Sequence, residues 1–151
     1  MIKKTKGDFL KELKEKQANF RKLQRVLPKI LGEQAASHFK QGFERGGGMT
    51  DAGSWKPRKR QERARTKDVN QRATLVKSSV LKKDIKRRKT SWAETVVSTS
   101  ALTEDYASVH NQGLRAGRGK GFTMPKREFI GESARLRAKG QLTIQKEIKN
   151  I

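Results

Sequence analysis

The chain has no cysteine among its 151 residues. That removes disulfides, a thiolate zinc site and a cysteine nucleophile together, along with the usual sign of a secreted scaffold. Aromatic residues are 6% and apolar residues 32% of the sequence, against the ~45–50% apolar of ordinary globular chains. One modest core is therefore expected, not two. No run approaches the ~18–20 apolar residues of a membrane span, so no membrane contact is expected. Lys3, Lys4 and Lys6 resemble the start of a signal peptide, but Asp8, Lys11, Glu12, Lys14, Glu15 and Lys16 interrupt any apolar stretch. Synthesis in the cytoplasm is the expectation. Histidine is scarce too. His38 and His110 are the two present, too few to make a metal centre without thiols or an acidic cluster, and neither sits in an acid–His–nucleophile pattern. No cofactor and no catalysis are expected.

Acidic residues are also few, 15 against 37 basic, for a net charge of +22. The excess is uneven. Residues 56–90 hold fifteen basic and three acidic groups, a net of +12. Such a segment faces a polyanion, or an acidic protein surface, or serves as an arm. The candidate contacts there are Arg58, Lys59, Arg60, Arg63 and Arg65, then Arg87, Arg88 and Lys89. Arg115, Arg118 and Lys120 join them from a glycine-rich stretch. Only Trp55 and Trp92 flank the patch as stacking residues, so any nucleic-acid contact would be to backbone and without sequence preference. Gly113–Gly121 invites a phosphate-loop reading. The spacing fails, because five residues separate Gly113 from Gly119 and Gly121 follows Lys120 where Ser or Thr is needed.

The apolar pattern organises the rest. Phe9, Leu10, Leu13, Phe20, Leu23, Leu27, Ile30 and Leu31 recur mostly at three- and four-residue intervals among Lys, Glu, Gln and Arg, one stripe on a charged helix. Asp8 is a candidate N-cap. Pro28 predicts a break, with one helix over residues 8–27 and a second carrying Leu31, Ala35, Phe39 (or His38) and Phe43. Gly46, Gly47 and Gly48 end that second helix. Residues 49–73 read as a loop with a short helix near 61–65. Leu75 to Ile85 has helical spacing over about three turns. The basic run 86–90 and the β-branched run 91–99 predict a hairpin turning near residues 90–92. Residues 105–110 predict a short helix, residues 114–124 a loop, residues 125–131 an extended connector, and residues 133–149 a last helix. A single domain is expected over 1–151, with helices to 45, a basic arm over 46–73, an α+β core over 74–131 and a helix over 132–151.

Three landmarks then appear in order. The first is Phe39-Lys40-Gln41-Gly42-Phe43 followed by Gly53-Ser54-Trp55-Lys56-Pro57. The second runs from Thr74 through Leu81 to Ile85. The third is Tyr106-Ala107-Ser108-Val109-His110-Asn111-Gln112-Gly113, then Pro125-Lys126-Arg127-Glu128-Phe129-Ile130-Gly131. Over residues 30–150 this set resembles the phage virion morphogenesis, or tail-completion, family of Mu-like tailed phages. The chain departs from the pattern at Ser79, where glycine is usual, at Asp84, where serine is usual, and at Glu128, often proline.

The resemblance implies an α+β fold in which N-terminal helices and a C-terminal helix pack on a small, mainly antiparallel sheet, with long basic loops. It implies a structural virion protein that forms a ring, by expectation a hexamer, at the head-proximal end of the tail. Its partners would be other copies of itself, the tail tube and the head connector, with assembly in the host cytoplasm and a non-specific DNA contact open. The alternative is a basic, sequence-nonspecific nucleic-acid-binding protein. Trp55 with Pro57 would pin a loop to the core. Tyr106 and His110, four apart, would share a helix face, with His110 bonded to the neighbouring loop. Phe129 and Ile130 would seat the connector on the sheet.

Overall fold

The computed structural model describes residues 5–57, 74–76 and 78–151. A single helix, α1, runs from Lys6–Arg45 for 40 residues, about 60 Å at 1.5 Å per residue. Thr5 is its N-cap and exchanges hydrogen bonds with Asp8 in a capping box. Asp8 is thus the third helical residue and not the cap. Those bonds hold its carboxyl below the ordinary carboxylate pKa. Gly46, in the left-handed conformation, ends the helix.

The break expected at Pro28 does not occur. Pro28 lies inside α1 and is buried. An interior proline costs about 3 kcal/mol, and tertiary packing on both sides outweighs it. The last helix, α4 (Ala134–Lys149), lies antiparallel on α1. Ser133 at its start meets His38, Thr143 bonds Gln34 at 2.8 Å, and its end lines a pocket together with Leu23 and Val26. Strands β1 (Lys86–Thr90) and β2 (Thr95–Ser98) form the expected antiparallel hairpin. It crosses α1 at Gly32, where an added Cβ would stand 2.5 Å from Thr95 Oγ1 and 2.6 Å from Arg87 Cδ. A helix interior normally disfavours glycine by about 1 kcal/mol; here only glycine lets the hairpin approach.

The predicted three-turn helix before the hairpin shrinks to α2 (Val80–Asp84). Leu75 and Ser79 both adopt positive φ, 63° and 57°, which no continuous right-handed helix can contain. The helix predicted at 105–110 is longer, as α3 (Ala101–Gln112) with Gly113 as a left-handed cap. The loop predicted over 114–124 closes as a second antiparallel pair, β3 (Arg115–Ala116) and β4 (Phe122–Thr123). The fold is α+β, its strands divided between two hairpins where one sheet was expected.

The core forms where the C-terminal half of α1 meets everything after residue 46. Phe39, Phe43, Trp55, Leu81, Ile85 and Phe129 lie in one cluster with Ala36 and Ala107. Phe43 and Ile85 are completely buried. The N-terminal half of α1 lies largely in solvent: Phe9, Leu10, Leu13 and Phe20 are all exposed, Phe9 by 59%.

Candidate assembly surfaces

The landmark residues divide cleanly. Trp55 packs edge-on to Phe43, with ring centroids 5.3 Å apart, and Phe129 lies 5.5 Å from the same ring. The Trp55 indole N–H donates to the Glu128 carbonyl at 2.9 Å. The connector therefore seats on the aromatic end of α1, where the sequence suggested the sheet. The turn before Trp55 is tight. Gly47 has φ 101°, and a Cβ there would lie 2.6 Å from the Trp55 backbone nitrogen. Residues 49–57 are accordingly an ordered clasp. Asp51 accepts from the first amide of α4, Ala134 N–H, at 2.9 Å, and donates its own N–H to the Glu132 carbonyl.

His38 completes that clasp. Its Nε2 lies 2.7 Å from the Met49 carbonyl and 3.0 Å from Ser133 Oγ. A carbonyl only accepts, so Nε2 carries the hydrogen. Buried His38 thus ties α1, the turn and the start of α4 together. His110 is buried beneath Tyr106, centroids 4.4 Å apart. Among the described residues its Nδ1 has no hydrogen-bond partner. The tie from here to the connector runs instead through the main chain, Arg127 N–H to His110 carbonyl at 2.8 Å. Burial, with the nearby Arg127 charge, lowers the His110 pKa. Gly113 caps α3 against Lys126, while Pro57, Pro125 and Gly131 are exposed.

Two residues of the site escaped sequence reasoning. Asn111 clamps the connector. Its Oδ1 accepts from Phe129 and Ile130 N–H at 2.8 and 3.1 Å, and its amide donates to the Ile130 carbonyl at 2.9 Å. Asp84, noticed only as a departure from the family pattern, is a hub. Its Oδ2 accepts from Ser100 N–H at 2.7 Å, Ser100 Oγ at 2.8 Å and Thr103 Oγ1, and its Oδ1 takes Arg88 Nη2. Arg88 sits at the bulge in the β1–β2 pairing, which turns its side chain back to Asp84. Partial burial alone would raise the Asp84 pKa. The bonds from Thr103, Ser100 and Arg88 outweigh it and hold the carboxyl well below the usual range. The signal in the sequence was Ser100-x-x-Thr103, a helix start lacking an acidic N3 residue of its own.

The basic candidates separate as well. Arg58, Lys59, Arg60, Arg63 and Arg65, and the short helix expected near 61–65, lie outside the described residues. Arg87 is spent on Glu33 at 3.0 Å and Thr90 at 2.9 Å, and Arg88 on Asp84. Arg115 turns onto the Lys120 carbonyl across the second hairpin. Lys89, Arg118 and Lys120 are exposed. Trp55 is buried and closed to stacking, whereas Trp92, at the first hairpin's turn, is 77% exposed. Among the described residues no group of three His, Cys, Asp or Glu could hold a metal, and no helix is long and apolar enough to cross a membrane.

What the landmarks build is a scaffold, and what they leave uncovered are faces. The arrangement defines a small α+β protein carried on one long helix, with Phe39, Phe43, Trp55 and Phe129 of its motifs taken up by its own core. The chain belongs to the phage virion morphogenesis family, whose model matches residues 4–149. The match takes in the N-terminal half of α1, which the landmarks alone had left out. No curated protein and no solved structure matches the chain.

Proposed function

We propose that the protein is the tail-completion, or tail-terminator, subunit of a tailed phage. Copies assemble as a ring, a hexamer by this reading, at the head-proximal end of the tail, and the ring joins the tail tube to the head connector. No chemical step is involved; the mechanism is burial of faces that one copy leaves open. The observation that carries the reading is the division within a family member: Phe39, Phe43, Trp55, Leu81, Ile85, His110 and Phe129 of the motifs are interior, while Phe9, Leu13, Phe20 and Leu102 are large, apolar and exposed. A free monomer gains nothing from such a surface. The exposed Lys89, Arg118 and Lys120 suit a channel through which DNA passes, as backbone contacts without sequence preference.

The test is negative-stain microscopy with mass photometry on nuclease-treated protein purified in high salt. Closed rings of uniform mass are expected and supply the subunit number. Monomers that coat added DNA, with steep salt dependence, would favour the basic nucleic-acid-binding protein instead.

A further inference from the structure

Two exposed faces of this chain are complementary in both polarity and charge. The first is the free half of α1. Phe9, Leu10, Leu13 and Phe20 form its stripe. Lys6, Lys14 and Lys16 lie three or four residues from members of that stripe, and so on the same side of the helix. Residues 6–27 carry seven basic and three acidic groups, a net of +4. The second face is the outer side of α3. Leu102 is 97% exposed and Tyr106, one turn on, is exposed beside it. Asp105 is three residues from Leu102 on that side, and Glu104 flanks it; both are exposed. The sequence of α3 contains no Lys or Arg. In a chain of net +22, it is a helix of acidic charge with apolar side chains turned outward.

We propose that the free half of α1 docks on the outer face of α3 of a second copy. The two faces belong to different places in the fold. From Leu23, which lines a pocket together with Glu147 and Asn150 at the end of α4, α1 carries Phe9 a further 14 residues, about 21 Å. Because the face that gives and the face that receives differ, the contact is head-to-tail. Repetition of it closes a ring or continues as a filament. Pairing of two free halves with each other would set +4 against +4; docking on α3 sets it against two carboxylates. The inference rests on the ring reading for its closure, though not for its existence.

Absence of cysteine makes the test clean. One version of the full chain carries Leu13→Cys, another Leu102→Cys, and a control carries Arg135→Cys on α4. Mixed in pairs and oxidised, the Leu13→Cys and Leu102→Cys versions are expected to give a mixed disulfide dimer that the control pair does not. Phe9→Cys and Tyr106→Cys repeat the test at a second register. Independently, Glu104→Lys with Asp105→Lys should raise the concentration needed for assembly by about tenfold or more. Adding Lys14→Glu and Lys16→Glu in the same chain should restore it. Cross-links confined to Leu13→Cys with itself would mean that the free halves pair with each other, and would overturn the proposal. So would the absence of a mixed dimer, or indifference to the charge reversals. Closed rings without the mixed dimer would sink this contact and leave the ring reading standing. The mixed dimer in open chains only would do the reverse.

Discussion

The two halves of α1 carry the same kind of apolar stripe and meet opposite fates. Residues 28–43 place Pro28, Gly32, Ala36, His38, Phe39, Gly42 and Phe43 in the interior, where the hairpin, the Trp55 turn and the connector all find them. Residues 6–22 hold Phe9, Leu10, Leu13 and Phe20 in solvent. Periodicity marks which side of a helix wants cover. It does not say whether the cover comes from the same chain. Small residues make the difference visible: Gly32 and Gly42 let a hairpin and Met49 come close to the inner half, whereas the stripe of the outer half is built from long side chains.

The sharpest way to test this division is to cut the same chemistry from each half. Phe43→Ala empties the most buried site of the core and should cost about 3–5 kcal/mol of unfolding free energy, read by urea denaturation of the monomer. Breaking the Asp84 hub comes next. Asp84→Asn keeps the shape but loses the charge that Ser100, Thr103 and Arg88 converge on, and should cost about 1–3 kcal/mol. Its pH signature has a definite sign. The folded pKa lies below the unfolded value, so the carboxylate stabilises above about pH 4 and that contribution fades as the pH falls further. The Asn variant should lose less stability than wild type on going from pH 5 to pH 3.

His110 acts at higher pH. Its lowered pKa favours the neutral ring, so stability should fall as the pH drops below about 6.5. A His110→Gln variant should flatten that limb of the curve; an unchanged slope between pH 7 and pH 5 would show that His110 is not its source. Ser79→Gly should stabilise, by up to about 1 kcal/mol, because left-handed backbone costs a serine about 1–2 kcal/mol while glycine's extra unfolded freedom takes part of that back. At the bottom of the scale, Phe9→Ser with Leu13→Ser should shift monomer stability by no more than about 0.5 kcal/mol. A large loss there would mean that the outer half is covered within its own chain.

Much of this was legible in the sequence where backbone chemistry is local. Gly46 ends its helix as expected, the hairpin after residue 86 follows from its β-branched second strand, and Ser133 opens the last helix. The misses share a cause. The cost of Pro28, about 3 kcal/mol, is visible in the sequence, whereas the packing of α4 and the hairpin on either side of it is not. Helical spacing over 75–85 carried no sign of the positive φ that Leu75 and Ser79 adopt. The hubs at Asp84 and Asn111 join residues 16 to 19 apart in the chain, and polar side chains announce no period. Arg87 looks free in the sequence because its partner, Glu33, lies 54 residues away; the Asp84–Arg88 pair is four apart, a spacing that a net charge count does not register.

Pro28 has one further consequence, a mechanical one. Its nitrogen carries no hydrogen, so the ladder of α1 lacks a rung where the embedded half gives way to the projecting one. Phe9 stands 19 residues beyond, a lever of about 28 Å. A change of only 10° at that joint displaces the tip by about 5 Å, half the width of a helix. A subunit so built reaches neighbours set at slightly different angles by adjusting one pivot, and what shifts with it in the folded body is the end of α4 beside Leu23 and Val26.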